Sequence, residues 1–147
     1  MFLGKNHTDS PERLICMKLF SPEKANALIP KVAPLVEELW QKRRDLAIKL
    51  LESETTLRGV EPSPPIRMAV PRSPFLPSRF SEQKAEIVRI INRIEAYGCL
   101  LKDVDLGLLD FPSMREGRAV YLCWKAGEPE IGYWHPMDES YSSRRPL

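Results

Sequence analysis

A chain of 147 residues with 43% hydrophobic residues has about the length of one domain and enough apolar side chains for a single core. Its charges nearly balance, with 22 Lys and Arg against 20 Asp and Glu. These totals argue against polyanionic partners such as nucleic acid and against an acidic membrane surface.

The cysteines predict a reducing compartment. Cys16, Cys99 and Cys123 are odd in number and lack CxxC spacing, and the polar opening residues resemble neither a signal peptide nor a membrane span. We therefore expect a cytoplasmic protein. Residues 1–16 precede the first patterned stretch at Met17, and we expect a disordered arm or an upstream extension from a misassigned start codon. Residues 17–147 are expected to form one domain.

A helical hairpin is predicted over residues 21–98. Ser21 and Pro22 are typical of a helix start, whereas Pro30 and Pro34 predict a short helix to about Ile29, then a kink or restart and a long helix that stops near Gly59. Its apolar stripe, at three- and four-residue steps, is Val32, Leu35, Val36, Leu39, Leu46, Ala47, Leu50 and Leu51.

The second helix follows Ser81 and ends near Gly98, with Ile87, Ile90, Ile91 and Ile94 as its stripe. It is the shorter of the two, so the unmatched apolar end of the first helix indicates self-association. Six prolines in residues 58–80 predict an irregular connector. Its arginines leave open a docking arm or, as a third alternative for function, a nucleic-acid binder; they are Arg67, Arg72 and Arg79.

Residues 99–136 read as the β part. Strands are predicted over 99–104, 108–111, 118–125 and 131–135, separated by Gly-containing turns. In the third strand, Val120, Leu122 and Trp124 share one face, expected against the helices, and Ala119, Tyr121 and Cys123 share the other. The fold class is therefore α+β, a long two-helix antiparallel hairpin packed on a small three- or four-stranded antiparallel sheet. Residues 137–147 are expected to be a C-terminal tail.

Several stretches together are distinctive: KLFSPEKANALIP at 18–30, GLLDFP at 107–112, VYLCW at 120–124, GEP at 127–129 and YWH at 133–135. In these stretches the chain resembles the bacterial family catalogued as domain of unknown function 2203, over about residues 17–147. The resemblance implies a fold and no activity. Where the family pattern leads us to expect glycines in the tail, this chain has Ser140 and Ser143, which argues against a tail that cradles phosphate.

Reactive side chains concentrate in the β part. Cys123 and His135 are suited to a thiolate–imidazolium pair, or to zinc binding together with Glu128 or Asp110, although their spacing matches no standard metal motif. Each of these residues also has an ordinary structural alternative, as a small strand residue, a strand end, a turn acid or a cap. The candidate ligand-binding residues are Asp110, Tyr121, Cys123, Glu128, Trp134, His135 and Arg144.

From these features we predict an interaction domain or small-ligand-binding domain that is non-catalytic, self-associates and needs no cofactor. The alternative is a small enzyme or metal-binding protein, with Cys123, Glu128 and His135 as the metal ligands. The aromatic residues of the last two predicted strands suit either a planar ligand or an oligomer interface.

Overall fold

The structure, a computed structural model, describes residues 18–58 and 80–147. Two α-helices precede an antiparallel sheet, so the predicted α+β class is confirmed. The elements are α1 (Pro22–Arg58), α2 (Ser81–Glu95), β1 (Leu100–Asp103), β2 (Leu108–Arg115), β3 (Arg118–Lys125), β4 (Tyr133–Pro136), a 3₁₀ turn (Tyr141–Ser143) and β5 (Arg145–Pro146). Neither helix combines the length and apolar character needed to cross a membrane. The expectations for residues 1–16 and for the connector at 59–79 lie outside the described residues.

α1 begins where Ser21 and Pro22 predict a helix start. The Ser21 hydroxyl accepts a hydrogen bond from the backbone N–H of Lys24 at 3.2 Å. This bond satisfies one of the N–H groups that the first turn of a helix leaves without an intrahelical partner. Pro22 has no N–H to satisfy, so it suits the first helical position.

The predicted restart after Ile29 is wrong, because α1 runs unbroken for 37 residues with Pro30 and Pro34 inside it. The alternative of a kink at these prolines stays a prediction. Both prolines are exposed, and their spacing of four places them on one side of the helix. Water can there hydrogen-bond the carbonyls that have lost their donors. Meanwhile Ile29, Val32 and Val36 are buried, and this burial opposes the proline cost of about 3 kcal/mol each.

The chain divides into two compact units. In the helical unit, of which residues 37–58 and 80–92 are described, Lys42 of α1 and Glu86 of α2 form an ion pair at 3.3 Å. Exposed apolar side chains of α1 in this unit are Ile48, Leu50 and Leu51. These side chains agree with the expected apolar end of the first helix. Self-association itself stays a prediction.

The sheet unit comprises the described residues 18–36 and 93–147. α2 ends at Glu95, and the turn that follows closes at Gly98, near the predicted stop. Gly98 has φ 105°, and a Cβ at this position would lie 3.1 Å from the Phe20 ring. Both the left-handed backbone and the close approach of Phe20 therefore require glycine here.

The sheet is an antiparallel meander with the strands in chain order. It has five strands rather than three or four, because the expected tail contributes β5. β2 also continues past the predicted end at Phe111. The Pro112 carbonyl accepts a hydrogen bond from the Phe20 N–H at 2.7 Å on the edge of β2 away from β3. The nitrogen of Pro112 faces the same edge, where no neighbouring strand needs a backbone N–H donor, so a proline is tolerated.

The pairing register divides the side chains of the sheet between two faces. Residues directly opposite each other, or two apart along a strand, share a face. The Trp134 face carries Leu109, Phe111, Ser113, Val120, Leu122, Trp124 and Trp134. The His135 face carries Asp110, Pro112, Tyr121, Cys123, Tyr133 and His135. Phe20 packs edge-on against Phe111 with ring centroids 5.3 Å apart, so the Trp134 face meets the segment that leads into α1.

Candidate functional site

Cross-strand pairing gathers the reactive side chains of three strands on the His135 face. Asp110 of β2 lies opposite Cys123 of β3, which lies opposite Tyr133 of β4, and Tyr121 lies opposite His135. The sequence left open which residues of the last predicted strand face Cys123. The register answers that question, because it places Tyr133 and His135 on the same face as Cys123.

A buried histidine–carboxylate pair lies at the centre of this face. The Nε2 of His135 is 3.2 Å from Oδ1 and 3.1 Å from Oδ2 of Asp110, and the two side chains are 3% and 5% exposed. The Nδ1 of His135 is 2.9 Å from the carbonyl oxygen of Pro136. A carbonyl and a carboxylate are both acceptors, so this geometry calls for a proton on each ring nitrogen.

The surroundings raise the pKa of His135 to about 10. Burial lowers this pKa, because it disfavours the charged ring. The hydrogen bonds that the ring donates to Asp110 and to the Pro136 carbonyl, the nearby Cys123 and the charge of Asp110 raise the pKa by more than burial lowers it. His135 is therefore an imidazolium at neutral pH, paired with Asp110. A buried ion of either sign is tolerated only with such a partner.

This pair makes the stability of the metal-free protein depend on pH. The folded-state pKa of His135 is raised, so its contribution to stability is complete below about pH 6.5 and is lost as pH rises toward 10. We expect the free energy of unfolding to fall by a few kcal/mol over that range in wild type, relative to Asp110→Asn. Urea unfolding with a chelator at each pH measures this. Parallel curves for the two proteins would contradict the assignment.

Cys123 completes a cluster of three buried groups. One ligand atom each of Asp110, Cys123 and His135 lies within 4.8 Å of the other two. Cys123 lies close enough to His135 and Arg144 that it contributes to raising the pKa of both cationic groups. The sulfur is therefore near both an imidazolium and a guanidinium.

Arg144 extends the network toward Glu128. Its Nη2 donates to Oε1 of Glu128 at 2.6 Å, and its guanidinium carbon lies 4.0 Å from the centre of the Tyr133 ring and 4.6 Å from that of Tyr141. Burial lowers the pKa of Arg144, but the hydrogen bond and charge of Glu128, with smaller contributions from Tyr141 and Cys123, leave it raised. Arg144 therefore remains charged, and its Nη1 is buried without a hydrogen-bond acceptor among the described residues.

A cavity of about 300 Å³ opens beside the histidine–carboxylate pair. Asp110 and His135 form part of its wall, and Tyr141 of the 3₁₀ turn forms another part. The rest of the lining comes from Lys102, Asp103, Leu108, Glu139 and Ser140. The buried pair is therefore adjacent to a space that a small molecule can occupy.

Most of the candidate residues chosen from the sequence lie on one face. Asp110, Tyr121, Cys123 and His135 lie together, and Arg144 links them to Glu128. The Tyr121 ring contacts the His135 ring at 5.6 Å between centroids. Trp134 is separate, because it lies on the opposite face of the sheet.

Glu128, an expected metal ligand, has both carboxylate oxygens engaged. Oε1 accepts from Arg144, and Oε2 accepts from the backbone N–H of Lys125 at 2.9 Å. The cluster that could hold a metal contains Asp110 instead. Asp110 is directly opposite Cys123, whereas Glu128 lies in the loop after β3.

The sequence did not identify the cavity wall contributed by β1 and the C-terminal residues. Lys102, Asp103, Glu139 and Tyr141 carry no motif, and Tyr141 follows an unremarkable polar stretch. The one signal was the replacement of expected glycines by Ser140 and Ser143. Ser140 has φ −110°, an extended conformation that does not require glycine. Ser140 also lines the cavity.

Comparison with known proteins gives a family and no activity. No match was found among curated proteins or among solved structures. A family model described as "Uncharacterized conserved protein (DUF2203)" matches residues 18–147, nearly the whole chain. The chain therefore belongs to the DUF2203 family.

Proposed function

We propose that the sheet unit binds a divalent transition-metal ion, with zinc the best match, through Asp110, Cys123 and His135. The observation that carries this proposal is the convergence of three buried side chains whose ligand atoms lie within 4.8 Å of one another. Carboxylate oxygen, thiolate sulfur and imidazole nitrogen are the donor types that zinc accepts. Two anionic ligands and one neutral ligand would also balance the charge of a divalent ion in a buried place.

The distances are compatible with a tetrahedral site. Zinc bonds of about 2.0–2.3 Å place neighbouring ligand atoms about 3.3–3.6 Å apart. The Nε2 of His135 is already 3.1–3.2 Å from the Asp110 oxygens. The ligand atoms lie at most 4.8 Å apart, so the sulfur of Cys123 needs to move inward by at most about 1.5 Å to reach such a distance. Rotation of one thiol side chain supplies a movement of this size.

The surroundings of His135 also suit a metal ligand. The Nδ1–H donates to the Pro136 carbonyl at 2.9 Å, which orients the ring and turns Nε2 toward Asp110. Metal-binding histidines are commonly held in this way by a second hydrogen bond. The cavity beside Asp110 and His135 leaves room for a fourth ligand, as in zinc sites that keep one open position.

The same geometry disfavours a cysteine nucleophile activated by His135. Such an enzyme needs one imidazole nitrogen to take the thiol proton while the other faces a carboxylate. Here Nε2 faces Asp110 and Nδ1 faces the Pro136 carbonyl, so neither nitrogen is free to act as a base. A metal ion would have to displace the proton that Nε2 of His135 donates to Asp110.

The test is metal binding by the chelator-treated full-length protein. We expect zinc to bind one site per chain, and cobalt to give a thiolate charge-transfer absorption. Cys123→Ala should weaken zinc binding at least about 100-fold and abolish that absorption. Asp110→Asn should weaken binding while it keeps the shape of the side chain. Isothermal titration calorimetry and absorption spectroscopy measure these effects.

Cys99 provides a matched control. It is also buried in the sheet unit, but its thiol donates to the Ile94 carbonyl at 3.4 Å. Burial, with a smaller contribution from Glu95, raises the pKa of Cys99 to about 12, so it is a poor metal ligand. Cys99→Ala should leave zinc affinity unchanged within about threefold. Equal losses in both cysteine variants, or no zinc binding by folded wild type, would overturn the proposal.

A further inference from the structure

A second cavity, of about 310 Å³, lies at the β2–β3 hairpin end of the Trp134 face. Its charged lining comes from Arg115, Arg118, Arg145 and Glu116, and Trp134 and Pro136 supply apolar surface. Three guanidiniums against one carboxylate give the wall a formal charge of +2. None of these residues belongs to the Asp110–His135 cluster, which is on the other face of the sheet.

The hairpin places two of these cations directly opposite each other. Arg115 and Arg118 are cross-strand partners on either side of the turn formed by Glu116 and Gly117. Like charges in this position destabilise a hairpin, so folding alone gives no reason for the pair. In the described stretches 18–58 and 80–147, neither arginine forms an ion pair with a carboxylate.

Trp134 orients the guanidiniums and leaves their donors available. The guanidinium carbons of Arg115 and Arg145 lie 5.0 Å and 5.2 Å from the Trp134 ring centre. A guanidinium held near an indole by cation–π attraction keeps its N–H groups for an anion. The ion pair of Arg145 with Glu139 is long, at 3.3 Å, and half exposed, so it competes weakly with a doubly charged ligand.

We infer that this cavity binds the phosphate group of a small organic phosphate, with its apolar part against Trp134 and Pro136. A phosphate monoester carries about −1.5 to −2 charge at neutral pH, which matches the +2 wall. Guanidiniums bind phosphate oxygens through paired N–H donors. The cavity volume of about 310 Å³ limits the ligand to a small molecule.

The test uses the full-length protein in buffer with a chelator, so that its outcome is independent of the zinc proposal. Phenyl phosphate is the probe, and calorimetry measures its binding. We expect a Kd below about 1 mM for wild type. Arg115→Gln/Arg118→Gln should weaken binding at least tenfold. Inorganic phosphate should bind more weakly than phenyl phosphate, because it lacks the apolar part.

Arg89→Gln is the charge control, since Arg89 is an exposed arginine of α2 outside this cavity. It should leave the Kd unchanged, and thermal unfolding should show that Arg115→Gln/Arg118→Gln folds as stably as wild type. No binding of phenyl phosphate to wild type, or equal weakening by Arg89→Gln, would overturn the inference. So would tight binding of a single-stranded oligonucleotide without binding of phenyl phosphate, which would make this face a nucleic-acid surface.

Discussion

Asp110→Ala should cost about 3–5 kcal/mol of unfolding free energy at pH 7, because it leaves the His135 charge buried without its partner. Both side chains of the pair are at most 5% exposed, so the imidazolium would be left in a largely desolvated position without its counter-charge. The ring would shed its charge, and part of the cost is the free energy of that deprotonation.

Asp110→Asn should be milder, at about 1–2 kcal/mol. The amide has the same shape as the carboxylate, and its N–H can donate to Nε2 of a neutral His135. Asp138→Ala is the control, because Asp138 is exposed and should change stability by less than about 0.5 kcal/mol. Urea unfolding followed by circular dichroism gives all three values. Equal costs for the Ala and Asn variants would contradict the importance of the buried charge.

Trp124→Ala should cost about 3–5 kcal/mol, because it removes a large buried side chain from the Trp134 face. Trp124 is 2% exposed and lies opposite the fully buried Leu109, so neighbouring side chains have little room to fill the gap. Its indole N–H also donates to the Glu128 carbonyl at 2.9 Å, which ties the loop after β3 to the strand.

Trp124→Phe should separate these two contributions. It keeps an apolar ring but removes the indole N–H, and we expect a loss of about 1–2 kcal/mol. Met114→Ala is the control, since Met114 lies on β2 with 51% of its surface exposed and should have an effect below about 0.5 kcal/mol. Denaturant unfolding measures the series. A Trp124→Ala loss below 1 kcal/mol would mean that the core repacks.

The sequence predicted correctly those helix and strand boundaries that neighbouring residues determine. Ser21 and Pro22 start α1, Gly98 ends the turn after α2, and alternation defines β3 over its full length. In each case the signal comes from residues within a few positions of the element, such as a cap, a positive φ or a two-residue period.

The local signals were wrong where burial or an edge position decided the outcome. Pro30 and Pro34 predict a kink or a restart, yet α1 continues without a restart, because they lie on its exposed side and its buried side stabilises the helix. The predicted strand ends at Phe111, yet β2 continues through Pro112, because at this position its nitrogen faces an edge without a neighbouring strand. Sequence alone does not show which side of an element faces water.

By itself, the sequence determined the α+β class and the reactive residue types that the β part contains. Only the tertiary structure decided that Asp110 and not Glu128 meets Cys123 and His135, and that Trp134 lies on the other face beside Arg115 and Arg145. The physical reason is register, since one residue of slip in a strand moves every side chain to the opposite face. That register depends on contacts between strands up to 25 residues apart, such as Asp110 with His135.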